Sequence, residues 1–142
     1  MHIGIEGVIF QEKVDGHKSP VREISVIFNA DIEGFSPLSI RGIRLEQDGK
    51  LSNHWRECKE SLYHLSGPQA TVHLASIGSR QYERYVMNVG SRLFIPERTA
   101  LMVEGKSGLI LVSMIDRVYV EGAEWHHKLE NPHEFWAEFS RQ

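Results

Sequence analysis

Residues 54–67 read HWRECKESLYHLSG, and His54 is followed by Arg56, then by Glu60 four positions on, then by Gly67 seven positions beyond that. Simple strand alternation does not require this spacing. A second spaced segment, GSRLFIPERTALMVEG at residues 90–105, begins 23 residues after Gly67 and places Pro96 six positions after Gly90. The stretch between them, TVHLASIGSRQYERYVMNV, holds two β-rich runs.

Working outward, the chain up to about residue 130 is a series of β-branched and apolar runs: HIGIEGVIF, REISVIFNA, SIRGIRLE, ESLYHL, ATVHLAS, ERYVMNV, RLFIP, ALMVEG and GLILVSMIDRVYVE. Turn residues separate them at Asp15-Gly16, Asp48-Gly49, Gly67-Pro68, Gly78-Ser79, Gly90, Glu104-Gly105 and Gly108, with Asp48-Gly49 the clearest tight turn. Many short strands at such spacing predict an all-β sandwich or barrel. Only the tail carries helical signals. Asn131 suits a cap and Pro132 the first helical position, and Phe135, Trp136 and Phe139 then recur at helical spacing, which predicts a short helix packing an aromatic face on the barrel. With no repeat, linker or low-complexity tract, residues 1–142 read as one domain.

Composition narrows the classes of function. Nineteen acidic against sixteen basic residues give a net charge of −3, which argues against a broad basic surface for nucleic acid or anionic lipid. No apolar run approaches the roughly 20 residues that span a bilayer, and MHIGIEGVIFQEK, interrupted by Glu6, lacks a basic n-region. A cytoplasmic protein is expected, in keeping with the single Cys58, which has no partner for an intrachain disulfide. Eight histidines raise the question of metal binding or acid–base work, and composition alone does not answer it.

The segment 54–67 resembles the first cupin motif, His-x-His-x3-Glu-x6-Gly, with Arg56 in the second histidine position. The segment from Gly90 resembles the second, Gly-x5-Pro-x-Gly-x2-His, with Arg98 at the second glycine and Leu101 at the histidine. With the intervening stretch, which resembles the hairpin joining the two motifs in that fold, the match runs from about residue 39 to residue 114 and implies a cupin jelly roll. Within cupins the chain resembles the small RmlC-like enzymes that rearrange nucleotide-linked 4-keto-6-deoxy sugars, the 3,4-ketoisomerases and 3,5-epimerases. It departs from them in having Leu51-Ser52 where they have Arg-Gly, Arg56 for the second histidine, and Arg44 and Leu45 for an aromatic pair.

The resemblance implies a pocket centred on His54, the one expected catalytic residue that survives by position. Arg56 and Leu101 cannot ligate a metal, and a guanidinium repels a divalent cation, so a metal-free site without a cofactor is expected. His54 has the chemistry of a base for the proton beside a ketone. Alternation puts Arg56 on the same face, where its fork can hold an enolate or phosphoryl oxygen. Arg41 and Arg44 are further candidates for an anionic ligand, and Tyr63, Tyr82 and Tyr85 for the acid or for stacking on a base, with Tyr85 taken as the catalytic tyrosine and Tyr63 as a binding residue. Glu60, at the motif glutamate, belongs to the binding set or simply pairs with Arg56 or Lys59.

Other residues invite plainer readings. His64 and His73 read as core or cross-strand residues. His126, His127 and His133 lack companions that would complete a zinc site. Cys58 has no activating base.

Three functions follow. The first is a nucleotide-sugar isomerase or epimerase working by metal-free proton transfer, with a dTDP-sugar as substrate. The second is a degenerate cupin that only binds a small anionic ligand, and the third is a structural or interaction sandwich. A homodimer is expected, since edge strands of an open sandwich gain protection from pairing.

Overall fold

A computed structural model describes residues 4–140. Two five-stranded antiparallel sheets pack face to face. The strands in chain order are β1 (Ile9–Gln11), β2 (Gly16–Lys18), β3 (Glu23–Ser25), β4 (Ser39–Arg44), β5 (Gly49–Arg56), β6 (Glu60–Ser66), β7 (Ala70–Ser76), β8 (Tyr82–Met87), β9 (Arg92–Ile95), β10 (Thr99–Gly105), β11 (Ile110–Ile115) and β12 (His126–Lys128), followed by helix α1 (Pro132–Ser140). The first sheet has the order β1-β9-β6-β11-β4 and the second β12-β5-β10-β7-β8, while β2 and β3 form a separate hairpin.

The period-2 pattern explains the layering. Leu62, Leu93 and Leu111 from the first sheet meet Val72, Leu74, Leu101 and Val103 from the second in one buried core. Each such side chain, buried to 2% exposure or less, stabilises by about 1.5–3 kcal/mol relative to leaving it in water. The alternate residues Phe94 and Met114 face the other way, where Ile32 and Phe35 of the N-terminal segment cover them. Helix α1 covers the outer face of the second sheet, with Phe139 packed against Ala75 and Ala100 and with Phe135 and Trp136 beside it. The aromatic face predicted for the tail is therefore the face that docks.

Both motif glycines have left-handed backbone, φ +94° at Gly67 and +95° at Gly90. A Cβ at Gly67 would collide with the Gly108 carbonyl oxygen. Gly90 donates its N–H to the His64 carbonyl at 3.0 Å as the chain turns into β9.

Several predicted elements differ. The run LSNHWR, polar and poor in β-branched residues, carries no strong strand signal, yet it forms β5, held by β10 on one side and β12 on the other. Asp48-Gly49 closes no hairpin: the chain bends there and passes from β4 in one sheet to β5 in the other. REISVIFNA contributes only Glu23–Ser25, because Ile27 and Phe28 turn onto the outer face of the first sheet. The last run stops at Ile115, and RVYVE continues as an exposed loop. Of the first run only Ile9 and Phe10 join β1, and His2 and Ile3 lie outside the described residues.

Candidate functional site

The two spaced motifs meet inside the sandwich. In the β5–β10 ladder His54 stands directly opposite Leu101, so the first-motif histidine and the position of the second-motif histidine are cross-strand neighbours. Asn53, between paired Ser52 and His54, is the extra residue of a bulge. Both Ser52 and Asn53 have positive φ, 78° and 50°. The C-terminal segment fixes this kink: Leu129 N–H donates to the Asn53 carbonyl at 3.0 Å, and Trp136 Nε1–H donates to Asn53 Oδ1 at 2.9 Å. The bulge sets the direction of the following residue, His54.

Around His54 the structure gathers an unusual set of buried polar groups. Arg56, two residues along β5, also faces inward and donates from Nη1 to Glu60 Oε1 at 3.4 Å, both side chains being 7% exposed. Glu60 accepts a second, short hydrogen bond from Ser113 Oγ on β11. Arg41 on β4 is the cross-strand partner of Ser113 and so shares its inward face. Its guanidinium lies 4.3 Å from the ring centre of Tyr119, in the loop that follows β11. From β12, His126 packs edge-on against His54 with ring centres 4.7 Å apart.

The electrostatics follow from this crowding. Burial first, then the positive charge of Arg56, pushes the His54 imidazole down to about 2, with His126 and Arg41 adding to the effect. His126 is lowered too, first by burial and then by Arg56. His54 is therefore a neutral imidazole at physiological pH. Three nitrogens at this end of the sandwich, His54 Nε2, Arg56 Nε and Arg41 Nε, are buried with no hydrogen-bond partner among the described residues. Such groups call for a ligand oxygen or an ordered water. The free space is small: His54, Arg56, Cys58, Glu60, Thr99 and Leu101 border a cavity of about 10 Å³, room for about one water.

The predicted site residues divide accordingly. His54, Arg56, Glu60 and Arg41 come together. Arg44, Tyr63 and Tyr85 do not join them. Arg44 lies on the outward face of β4, paired with Glu46 at 3.0 Å in solvent. Tyr63 is buried, but it lies an odd number of residues from Glu60 and so faces the opposite side of the first sheet. Tyr85 faces the core from β8, packed on Phe10 with ring centres 5.2 Å apart. Three strand spacings separate β8 from β5, roughly 14 Å. Ser113 and Tyr119 carry no signal of their own in the sequence, and the sequence offers His126 only as a member of an incomplete zinc set. His126 reaches the site only because β12 pairs with β5, far away in sequence, and the alternation of His126 and His127 was the one available sign that a single one of them would turn inward.

Metal cupins suggest a test of the donor set. Leu101 supplies no donor and Arg56 a permanent cation, leaving His54 and Glu60, the latter already engaged by Arg56 and Ser113. The residues present do not fit a cupin metal centre, and among the described residues no cluster of three or more His, Cys, Asp or Glu is placed to hold an ion. Nor is any described helix long and apolar enough to cross a membrane.

No protein-family model and no curated protein matches this chain. Solved structures do. The sugar 3,4-ketoisomerase QdtA from Thermoanaerobacterium thermosaccharolyticum, in complex with TDP, superimposes with a TM-score of 0.73 at 13% identity, covering 96% of this chain and 97% of that one. The TDP-quinovose 3,4-ketoisomerase WlaRB from Campylobacter jejuni gives 0.73 at 14% identity, over 97% of this chain and 100% of that one. The 3,5-epimerase RmlC from Legionella pneumophila, in complex with dTDP-4-keto-L-rhamnose, gives 0.78 at 12% identity, over 96% and 80%. At such identity the likeness is one of fold, and the fold is the RmlC-like cupin jelly roll.

Proposed function

We propose that the chain binds a nucleotide-linked 4-keto-6-deoxy sugar at the His54 end of the sandwich and moves a proton next to its ketone, as an isomerase or epimerase. The observation that carries this reading is the buried, neutral His54 Nε2, without a hydrogen-bond partner among the described residues and flanked by the guanidiniums of Arg56 and Arg41. In the proposed step His54 Nε2 takes the proton from the carbon beside the carbonyl. The C–H electron pair moves into the enolate, whose oxygen accepts hydrogen bonds from Arg56, and Arg41 holds a phosphoryl oxygen. In an isomerisation the imidazolium then returns its proton to the neighbouring carbon while the hydroxyl proton of the enediolate passes to the former carbonyl oxygen; in an epimerisation a proton from water enters the opposite face of the first carbon and His54 gives its own proton to solvent. Anionic charge on the substrate offsets the two guanidiniums and so raises the basicity of His54 at the moment it is needed.

A cavity of about 10 Å³ cannot hold a sugar ring, so this reading includes an opening of the site, through the β12 edge or the 117–125 loop. The same small cavity favours a second reading, a degenerate cupin whose arginines bind a small anion without turnover. Incubation with dTDP-4-keto-6-deoxyglucose in heavy water separates them. Deuterium uptake beside the ketone, abolished in His54→Ala, supports the enzyme. Uptake no faster than the buffer blank, with a rise in melting temperature on adding dTDP, supports the binder. A blank rate without any thermal shift removes both.

A further inference from the structure

A second, larger cavity than the one beside His54 lies on the outer face of the second sheet. It is a groove of about 560 Å³ between α1 and the sheet, bordered by Lys50, His73, Tyr82, Met102, Glu104 and Trp136 among others. That volume is in the roughly 300–1,000 Å³ range of small-molecule sites. The β7 and β10 residues alternate, so Leu74, Leu101 and Val103 fill the core while His73, Met102 and Glu104 face the groove.

The polar groups here are organised. Glu104 Oε1 lies 2.7 Å from His73 Nε2, and His73 Nδ1 lies 2.6 Å from the Tyr82 hydroxyl. With the Glu104 carboxylate accepting from Nε2–H, Nδ1 is the acceptor for the Tyr82 O–H. This chain leaves the second Glu104 oxygen and the lone pairs of the Tyr82 oxygen as acceptors. Lys50 stands directly opposite Glu104 in the β5–β10 ladder, where opposite charges ordinarily pair. Among the described residues no ion pair joins them, because Glu104 is turned towards His73. Trp136 forms the aromatic wall, its ring 6.1 Å from that of His73 and 6.4 Å from that of Tyr82.

We propose that this groove binds a small zwitterion, an amino acid with an aromatic or large apolar side chain, its carboxylate on Lys50, its ammonium on Glu104 and its side chain against Trp136 and Met102. A cation and a carboxylate that stand opposite each other without an ion pair among the described residues, beside an apolar wall, match the two charges of an α-amino acid and its side chain. The site is distinct from the one at His54 and does not depend on any activity there.

The test is calorimetric titration of the intact protein with L-phenylalanine, 2-phenylethylamine and 3-phenylpropionate, which carry both charges, only the ammonium and only the carboxylate. Phenylalanine is expected to bind saturably, each analogue at least about tenfold more weakly for want of one charge-assisted contact. In Lys50→Gln, an exposed substitution, phenylalanine is expected to fall to the level of phenylethylamine, and in Glu104→Gln to that of phenylpropionate. His54→Gln is expected to leave all three unchanged. Absence of saturable phenylalanine binding into the millimolar range overturns the proposal, as does an analogue that binds equally well or binding untouched by both groove substitutions.

Discussion

Leu101 faces His54 across the β5–β10 ladder, and its side chain, 2% exposed, borders the small cavity beside the imidazole. An apolar group thus occupies the position that a second ligand would need, and it belongs to the core rather than to a site. Leu101→Ala is expected to destabilise the fold by about 2–5 kcal/mol through lost burial and the void left behind. Urea unfolding measures this, and a loss below about 1 kcal/mol would mean that the position is not packed as described.

The buried histidines make stability depend on pH. The folded pKa of His54 is about 2, below its ordinary 6.5, so the unfolded chain binds the proton more readily. Its contribution is complete above pH 6.5 and is lost as pH falls from there towards the folded value. Well below pH 6.5 the slope approaches about 1.4 kcal/mol per pH unit from this one group. His126 is shifted in the same direction and steepens it. Urea midpoints for the wild type and His54→Gln at neutral pH and at about pH 5 provide the check. The variant should lose less stability on acidification, and equal losses would contradict a neutral, buried His54.

Much of the site was legible because cupin spacing places residues on strands whose pairing is set by the fold. The left-handed glycines at 67 and 90 and the opposition of His54 to position 101 follow from it. Alternation alone would also have separated Tyr63 from Glu60 and Arg44 from Arg41, since each pair lies an odd number of residues apart on one strand. Tyr85 is different. It faces the same interior as His54, and only the strand order places it three strands away. His126 and the Asn53 bulge could not be read locally either, because both depend on the C-terminal segment returning to pair with β5.

Cys58 should be chemically silent in the folded protein. Burial, opposed by Arg56, pushes its thiol up to about 12, leaving almost no thiolate at neutral or mildly alkaline pH. A disulfide reagent such as Ellman's is expected to titrate one thiol per chain in denaturant and essentially none without it. Rapid labelling of the native protein would show that the 57–59 segment opens.

The buried Arg56–Glu60 pair is costly to break from one side. Glu60→Leu leaves a guanidinium at 7% exposure without its carboxylate, and about 3–5 kcal/mol of stability should be lost. The double change Arg56→Leu with Glu60→Leu removes both charges and should recover most of that loss. A double variant no more stable than Glu60→Leu would show that the two residues are not coupled.

Asn53 combines a left-handed backbone with a hydrogen bond to α1, and two substitutions separate these roles. Glycine accepts φ 50° without steric cost but loses the acceptor for Trp136 Nε1–H, whereas alanine loses the acceptor and is strained as well. Asn53→Gly should cost about 0.5–1.5 kcal/mol for the lost hydrogen bond, and Asn53→Ala about 1–2 kcal/mol more for the backbone. Because the bulge aims His54, both should also alter the His54 imidazole resonances in NMR spectra, while Glu138→Gln, an exposed change on the same helix at a residue paired with Arg80, should not. If glycine and alanine destabilise equally, the left-handed kink is not maintained in solution. If His54 is unmoved by either, the C-terminal segment closes the edge of the sheet without directing the residue at the centre of the site.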